Sequence, residues 1–199
     1  MQIADAQHEV RHVFLGGFVG QLVSSLLWTA SAALAKWSTP RLAITVLVIG
    51  GFFIFPATQA GLRLIGRPGR LSRDNPFGEL GMQVAFTLPL TLPIVGAAAL
   101  YRLDWFYPAF MITLGAHYLP FVFLYGMRMF YGLAAVLVGA GFVIGRFGAG
   151  PWHAGAWLTA AVLLVFAVIG RAQVVAAERR GREAPLPASL AAEGEARGA

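Results

Sequence analysis

The sequence predicts an all-α polytopic membrane protein, a six-helix transmembrane bundle with kinked third and fourth helices. Of its 199 residues, 58% are hydrophobic and only 12% are charged. A soluble domain of this size could not hide so much apolar surface, because its own exterior needs polar side chains. The apolar residues also gather in charge-poor runs of about 20 residues, the length that crosses a bilayer as a helix. Prolines near the middle of the third and fourth runs predict the kinks.

Six such runs divide the chain. The predicted spans are 13–35, 42–62, 77–101, 109–127, 129–145 and 154–174. They leave a cytoplasmic N-terminal segment at 1–12, a membrane domain at 13–174 and a cytoplasmic tail at 175–199. The tail is small, polar and proline-containing, and we expect it to be largely disordered. We expect the first span to be a membrane helix rather than a signal peptide, since its apolar run is too long and Asp5 and Glu9 precede it.

Basic residues set the predicted orientation. An even number of spans puts both termini on one side, and that side carries eleven of the 15 Lys and Arg residues. The positive-inside rule then predicts a multi-pass protein of the bacterial inner membrane with both termini in the cytoplasm. The same rule accounts for the net positive charge of the chain, so we predict no nucleic-acid partner. Arg63, Arg67 and Arg70 recur at helical spacing and either contact anionic lipid headgroups or only determine topology.

Polar residues inside the spans lie between the membrane centre and the cytoplasm. This set predicts a polar pocket open to the cytoplasm, or a proton pathway: Gln21, Gln59, Glu79, Gln83, Thr87, Thr91, His117 and Tyr125. Four of them form a slowly winding stripe on span three. Ionisable residues in a span favour a functional interpretation. The alternative is that Gln and His join helices by hydrogen bonds, while Glu79 only complements a helix N-terminus.

Three prolines are expected to bend the helices near the middle of the membrane. Pro89 and Pro93 lie in span three, and Pro120 lies three residues after His117 in span four. A proline cannot donate to the carbonyl four residues earlier and clashes with it. Thr87 and Thr91 flank this region, so either hydroxyl could bond the imidazole or a freed carbonyl.

Several chemistries are not predicted. The chain has no cysteine, its four histidines form no recognisable ligand set, and no phosphate-binding loop or nucleophile motif is present. We therefore predict no metal, no cofactor and no enzymatic activity. Pairs of small residues four apart in spans one, two and five favour close helix packing. Packing within one chain is the simpler interpretation, and homo-oligomerisation through such a face is the alternative.

Two stretches, RDNPFGELG and ITLGAHYLPFVFLYGM, resemble a family of small six-span bacterial membrane proteins of unknown function. The resemblance covers about residues 10–170 and supports a six-span domain. It implies that the following residues match recurring positions of the family: Asp74, Asn75, Pro76, His117 and Pro120. It implies no activity, substrate or cofactor.

Two functions remain open from the sequence. The first is a small-molecule or ion transporter or channel with a cytoplasm-facing polar pocket, since interrupted helices at mid-membrane are typical of transporters. The alternative is a non-transporting structural or accessory protein whose polar residues serve packing. An intramembrane enzyme is disfavoured, because Glu79 and His117 lie at unequal depth and no nucleophile accompanies them.

Overall fold

The computed structural model describes residues 1–183, and this part of the chain is helical without a strand. Its α-helices are α1 Ile3–Phe14, α2 Phe18–Trp37, α3 Pro40–Gly51, α4 Ile54–Leu64, α5 Phe77–Tyr101, α6 Phe106–Tyr125, α7 Met129–Phe147 and α8 Ala154–Glu183. Short 3-10 turns at Leu15–Gly17 and Leu103–Trp105 precede α2 and α6. The predicted all-helical polytopic bundle is confirmed.

Within residues 1–183, five helices are long and apolar enough to cross a membrane, or six if the bent pair α3–α4 is counted as one span. α5 begins and ends at the predicted residues 77 and 101. α8 continues beyond the predicted limit of 174 to Glu183, so the first part of the predicted tail is helical. The rest of that tail lies outside the described residues.

The N-terminal segment forms a separate amphipathic helix. Buried side chains of α1 are Ala6, Val10 and Val13, while its other residues are mostly polar or charged. Leu15, Gly16 and Gly17 then take positive φ values of 49°, 63° and 85°. This left-handed turn ends α1 and redirects the chain into α2, which begins at Phe18.

The sharp break in the bundle lies in the second predicted span. α3 and α4 meet at an angle of 59°. Pro56 lacks an amide hydrogen and cannot bond the carbonyl of Phe52, and the glycines at 50 and 51 lower the cost of bending. Instead, the amides of Phe52 and Phe53 bond the carbonyls of Ile49 and Gly50 in tighter turns. The predicted second span at 42–62 is therefore a bent pair of helices, and this bend was not predicted.

The prolines of α5 and α6 have a milder effect on helix continuity. Pro89 and Pro93 lie inside α5 and Pro120 lies inside α6, and both helices continue through them. Any bend at these prolines therefore interrupts neither helix. α5 also packs directly against α6 at this level.

The helices form an open ring. α2 packs against α8, α3 and α4, α8 packs on α7, and α7 forms a tight antiparallel hairpin with α6. α5 closes on α6 and touches α1, but it has no comparable packing with α3 or α4. The ring is therefore open along one side, between α5 and the α3–α4 pair.

Small residues mediate the closest helix contacts. Gly16 faces the Gly170 backbone, where an added Cβ would lie 2.8 Å from the carbonyl oxygen of Gly170. Gly141 similarly faces the Pro108 carbonyl of α6. Ala135 and Gly139 instead lie on the outer surface of α7. Most of the predicted small-residue pairs thus pack within the chain.

Candidate functional site

A cavity of about 290 Å³ lies among α2, α3–α4, α5 and α6. Its walls are mainly apolar, with Trp28, Leu47 and Phe110 among the side chains that line it. The polar side chains in its lining are Gln21, Ser24, Thr58, Gln59, His117, Tyr118 and Tyr125. No Asp, Glu, Lys or Arg of the described chain lines it. The site is therefore an apolar chamber with a few hydrogen-bonding groups rather than a polar pore.

Gln21 is the most unusual of these polar residues. Its side chain is only 3% exposed, and neither its amide oxygen nor its amide nitrogen has a hydrogen-bond partner within residues 1–183. Gly17, one turn earlier, leaves room for it, since an added Cβ there would lie 3.2 Å from the Gln21 Nε2. A buried amide without partners costs about 1–3 kcal/mol. A bound molecule that donates and accepts hydrogen bonds would remove that cost.

Thr58 contributes a second unpaired group to the cavity. Its buried Oγ1 has no partner within the described residues. It faces α2 at Gly20, where an added Cβ would lie 3.6 Å from that oxygen. Gln21 and Thr58 therefore bring an amide and a hydroxyl into the same chamber from α2 and α4. Thr58 was not predicted, because nothing in the sequence distinguishes it from the other threonines of the spans.

His117 joins α6 to α5 and also lines the cavity. Its Nδ1 lies 3.1 Å from Thr87 Oγ1, and that hydroxyl lies 2.7 Å from the Val84 carbonyl oxygen. If the single hydroxyl proton goes to the carbonyl, Nδ1–H must donate to Oγ1, which leaves Nε2 as an acceptor. His117 thus combines a packing role, through Thr87, with an unused lone pair.

The predicted polar stripe on α5 does not form one wall of the site. Glu79, Gln83 and Thr87 are exposed on the outside of the bundle, and none of them lines the cavity. Thr91 is also outside it and donates to the Leu88 carbonyl, 2.8 Å away. α5 has close neighbours on one side only, so most of its surface faces outward. The structure therefore brings Gln21, Gln59, His117 and Tyr125 together around the cavity. Of the predicted α5 stripe, Thr87 reaches this set through its bond to His117, whereas Glu79, Gln83 and Thr91 make no such contact within the described residues.

The α1 end of the bundle, where α1 meets residues 65–76 and the end of α8, carries a hydrogen-bonded polar cluster. Arg11 donates to the Tyr125 carbonyl at 2.6 Å, and Gln7 donates to the Phe123 carbonyl at 2.7 Å. These bonds satisfy carbonyls at the end of α6 that have no partner within the helix. α1 is therefore fixed across this end of the bundle.

Residues 72–75 are tied to α1 through Glu9. Its carboxylate accepts hydrogen bonds from the Ser72 amide and hydroxyl and from Asn75 Nδ2. The bond from the Ser72 amide is the main cause that lowers the pKa of Glu9. Asn75 Oδ1 accepts from the Phe77 amide at 2.9 Å and caps α5. The DNP stretch thus both starts α5 and attaches it to α1.

The three predicted headgroup arginines differ in their surroundings. Arg67 lies 3.3 Å from Glu178 and also contacts His12, whose Nδ1 is 2.9 Å from Glu178. Arg63 and Arg70 are exposed. Arg67 therefore has a structural role at the α1 end, whereas the side chains of Arg63 and Arg70 make no hydrogen bond within the described residues.

No curated protein and no solved structure matches the chain. One family model does match, and it covers residues 3–173, from α1 to the membrane-crossing part of α8. The chain therefore belongs to the family of unknown function DUF7010.

Proposed function

We propose that this membrane protein is a transporter of a small neutral molecule, which binds in the cavity between α2, α3–α4, α5 and α6. The observation that carries the proposal is Gln21, whose buried amide lines the cavity without a partner in the described chain. The break between α3 and α4 supports it, because discontinuous helices are a feature of transporter binding sites. An ion is a poor substrate, since no carboxylate and no Lys or Arg of the described residues lines the cavity.

The proposed orientation places the α1 end in the cytoplasm of a bacterial cell, with the protein in the inner membrane. The distribution of Lys and Arg supports this orientation. Gln59 and Tyr125 then lie toward the cytoplasmic end of the cavity, while Trp28 and Phe110 lie toward the outer end. Arg63 and Arg70 would contact anionic headgroups of the inner leaflet. Ala135 and Gly139, on the outer face of α7, would form the contact of any homo-oligomer.

Binding is tested with 2,2,2-tribromoethanol, a small neutral alcohol whose bromine atoms quench tryptophan fluorescence. Trp28 is 2% exposed and lines the cavity, so a bound molecule should quench it saturably. The quenching that belongs to Trp28 is the part that Trp28→Phe abolishes. We expect Gln21→Leu to weaken this binding by about tenfold, the effect of one good hydrogen bond.

A matched control on α2 is Ser25→Ala. Ser25 is also buried, but its hydroxyl donates to the Ala160 carbonyl at 2.8 Å. We expect Ser25→Ala to lower stability and leave binding unchanged, whereas Gln21→Leu should unfold no more easily than the wild type. Absence of saturable Trp28 quenching in the wild type would refute a binding cavity. Greater stability of Gln21→Leu with unchanged binding would favour the structural alternative.

Access from water is tested separately, because a transporter must open its site to an aqueous side. The chain has no cysteine, so Gln21→Cys supplies a single thiol in an otherwise unreactive background. A charged methanethiosulfonate reagent added to inside-out vesicles should modify it. Leu26→Cys is the control, since Leu26 is 62% exposed on the outer face of α2 and would face lipid. Equal protection of both thiols from either side would exclude transport to the cytoplasm.

A further inference from the structure

We infer that the ligand of this cavity is a neutral single-chain amphiphile that enters from the bilayer between α5 and the α3–α4 pair. This inference rests on the proposed binding function and adds the class of ligand and its route. Three features of the structure carry it: the open side of the helix ring, the chemistry of the cavity walls and the length of the chamber along α2.

The open side of the ring gives the route. Phe52 and Phe55 line the cavity, yet their exposed fractions are 59% and 56%. Across the opening, Ala85 of α5 also lines the cavity and is exposed. These residues therefore belong both to the chamber wall and to the surface that faces lipid. The α1 end is covered instead, since α1 lies across it through Gln7 and Arg11.

The cavity walls define the chemistry of the ligand. A charged headgroup would lose its hydration without gaining an opposite charge, since the described residues that line the cavity include no Asp, Glu, Lys or Arg. A purely apolar molecule would leave the Gln21 amide and the Thr58 hydroxyl without partners. A hydroxyl, a carboxamide or a protonated carboxyl group can both donate and accept, and so satisfies both side chains.

The dimensions of the cavity suggest the length of the chain. Gln21 and Trp28 both line it and are seven residues apart on α2, which is about 10 Å at 1.5 Å per residue. The volume of about 290 Å³ holds about ten groups of water size at ~30 Å³ each. A polar head beside Gln21 followed by about eight carbons would fill this space and bring the chain end to Trp28.

The probe that tests this inference is 8-bromooctan-1-ol in phosphatidylcholine vesicles, compared with 1-bromooctane, which lacks the hydroxyl. We expect saturable quenching of Trp28 by the alcohol, with half-saturation about tenfold below that of 1-bromooctane. Gln21→Leu should reduce this difference to about twofold or less. Equal half-saturation for the two probes in the wild type would mean that an ordinary acyl chain fills the groove, and would overturn headgroup recognition.

The route is tested by stopped-flow measurement of the association rate. Ala85→Phe places a large side chain at the opening and should slow association of 8-bromooctan-1-ol by fivefold or more. Met82→Phe is the control, because Met82 is 48% exposed on the same helix and does not line the cavity. If Ala85→Phe has a lowered melting temperature, Ala85→Leu replaces it. Equal rates in the Ala85 and Met82 variants would overturn lateral entry.

The binding function and the amphiphile ligand are refuted by different results. If 2,2,2-tribromoethanol binds in a manner that depends on Gln21, but the eight-carbon alcohol has no advantage over 1-bromooctane, the binding function stands and the amphiphile inference is wrong. If neither probe quenches Trp28 saturably, both are wrong.

Discussion

Gly16→Ala should destabilise the bundle strongly, because both the backbone conformation at this position and its close contact with α8 require a glycine. Its φ of +63° lies in the left-handed region, where an alanine costs about 1–2 kcal/mol. In addition, the new Cβ would lie 2.8 Å from the Gly170 carbonyl oxygen and 3.1 Å from its carbon. Both are backbone atoms, so α8 itself would have to move, and overpacking of this kind costs about 1–3 kcal/mol. We expect a total loss of about 2–5 kcal/mol, a large part of a typical stability.

Gly20→Ala is the matched control for this prediction. Gly20 belongs to the same line of small residues on α2, but a Cβ there would meet Thr58 at 3.6 and 3.7 Å, an ordinary contact distance. Alanine also favours a helix interior over glycine, by up to about 1 kcal/mol. Equilibrium unfolding in mixed micelles, followed by circular dichroism, compares the two variants with the wild type. Equal stabilities of Gly16→Ala and Gly20→Ala would refute the close approach of the Leu15–Gly17 turn and α8.

Three further predictions concern the α1 end and the orientation of the chain. Glu9 has a lowered pKa in the folded state, so its stabilising effect is present above its ordinary pKa of 4.5 and is lost as the pH falls through the lowered value. Glu9→Gln should therefore flatten the acid branch of a plot of melting temperature against pH, and an unchanged slope would contradict this. Asn75→Ala should cost about 1–3 kcal/mol by removing the cap of α5 and a buried bond to the Ala6 carbonyl, whereas the exposed neighbour Asp74→Ala should cost under about 0.5 kcal/mol. Reporter fusions after Arg70 and at the C-terminus should both report cytoplasm, and a periplasmic signal from either would exclude the proposed orientation.

Much of the fold follows from local features of the sequence. α5 begins where Asn75 and Pro76 provide a cap and a preset first turn, so its limits could be predicted to the residue. The break between α3 and α4 was also present in the sequence, as two glycines followed by Pro56. This break was not predicted, because the apolar run continues across it and the hydropathy of a run contains no information about its backbone conformation.

The candidate site was harder to predict, because sequence position gives the depth of a residue but not the direction in which it faces. His117 and Thr87 were expected at similar depth, and the structure joins them by a hydrogen bond. Glu79 and Gln83 were expected in the same pocket, but they are on the outside of α5. Which face of α5 meets the bundle depends on how α5 packs against α6, its main neighbour among the described helices, and this packing depends on the arrangement of the whole ring.

Threonine hydroxyls show why the unpaired groups of the cavity are informative. In an apolar helix a threonine normally bonds a carbonyl of its own preceding turn, as Thr29, Thr113 and Thr159 do at 2.8, 2.9 and 2.8 Å. Thr58 could bond a carbonyl of the preceding turn of α4 in the same way, but its buried Oγ1 has no partner in the described chain. Both polar atoms of the Gln21 amide likewise have no partner there. Such groups are stable in a membrane only when a ligand or water completes their hydrogen bonds. Since both face the same apolar chamber, one bound head group would satisfy them together, and this arrangement supports the proposed binding function over packing alone.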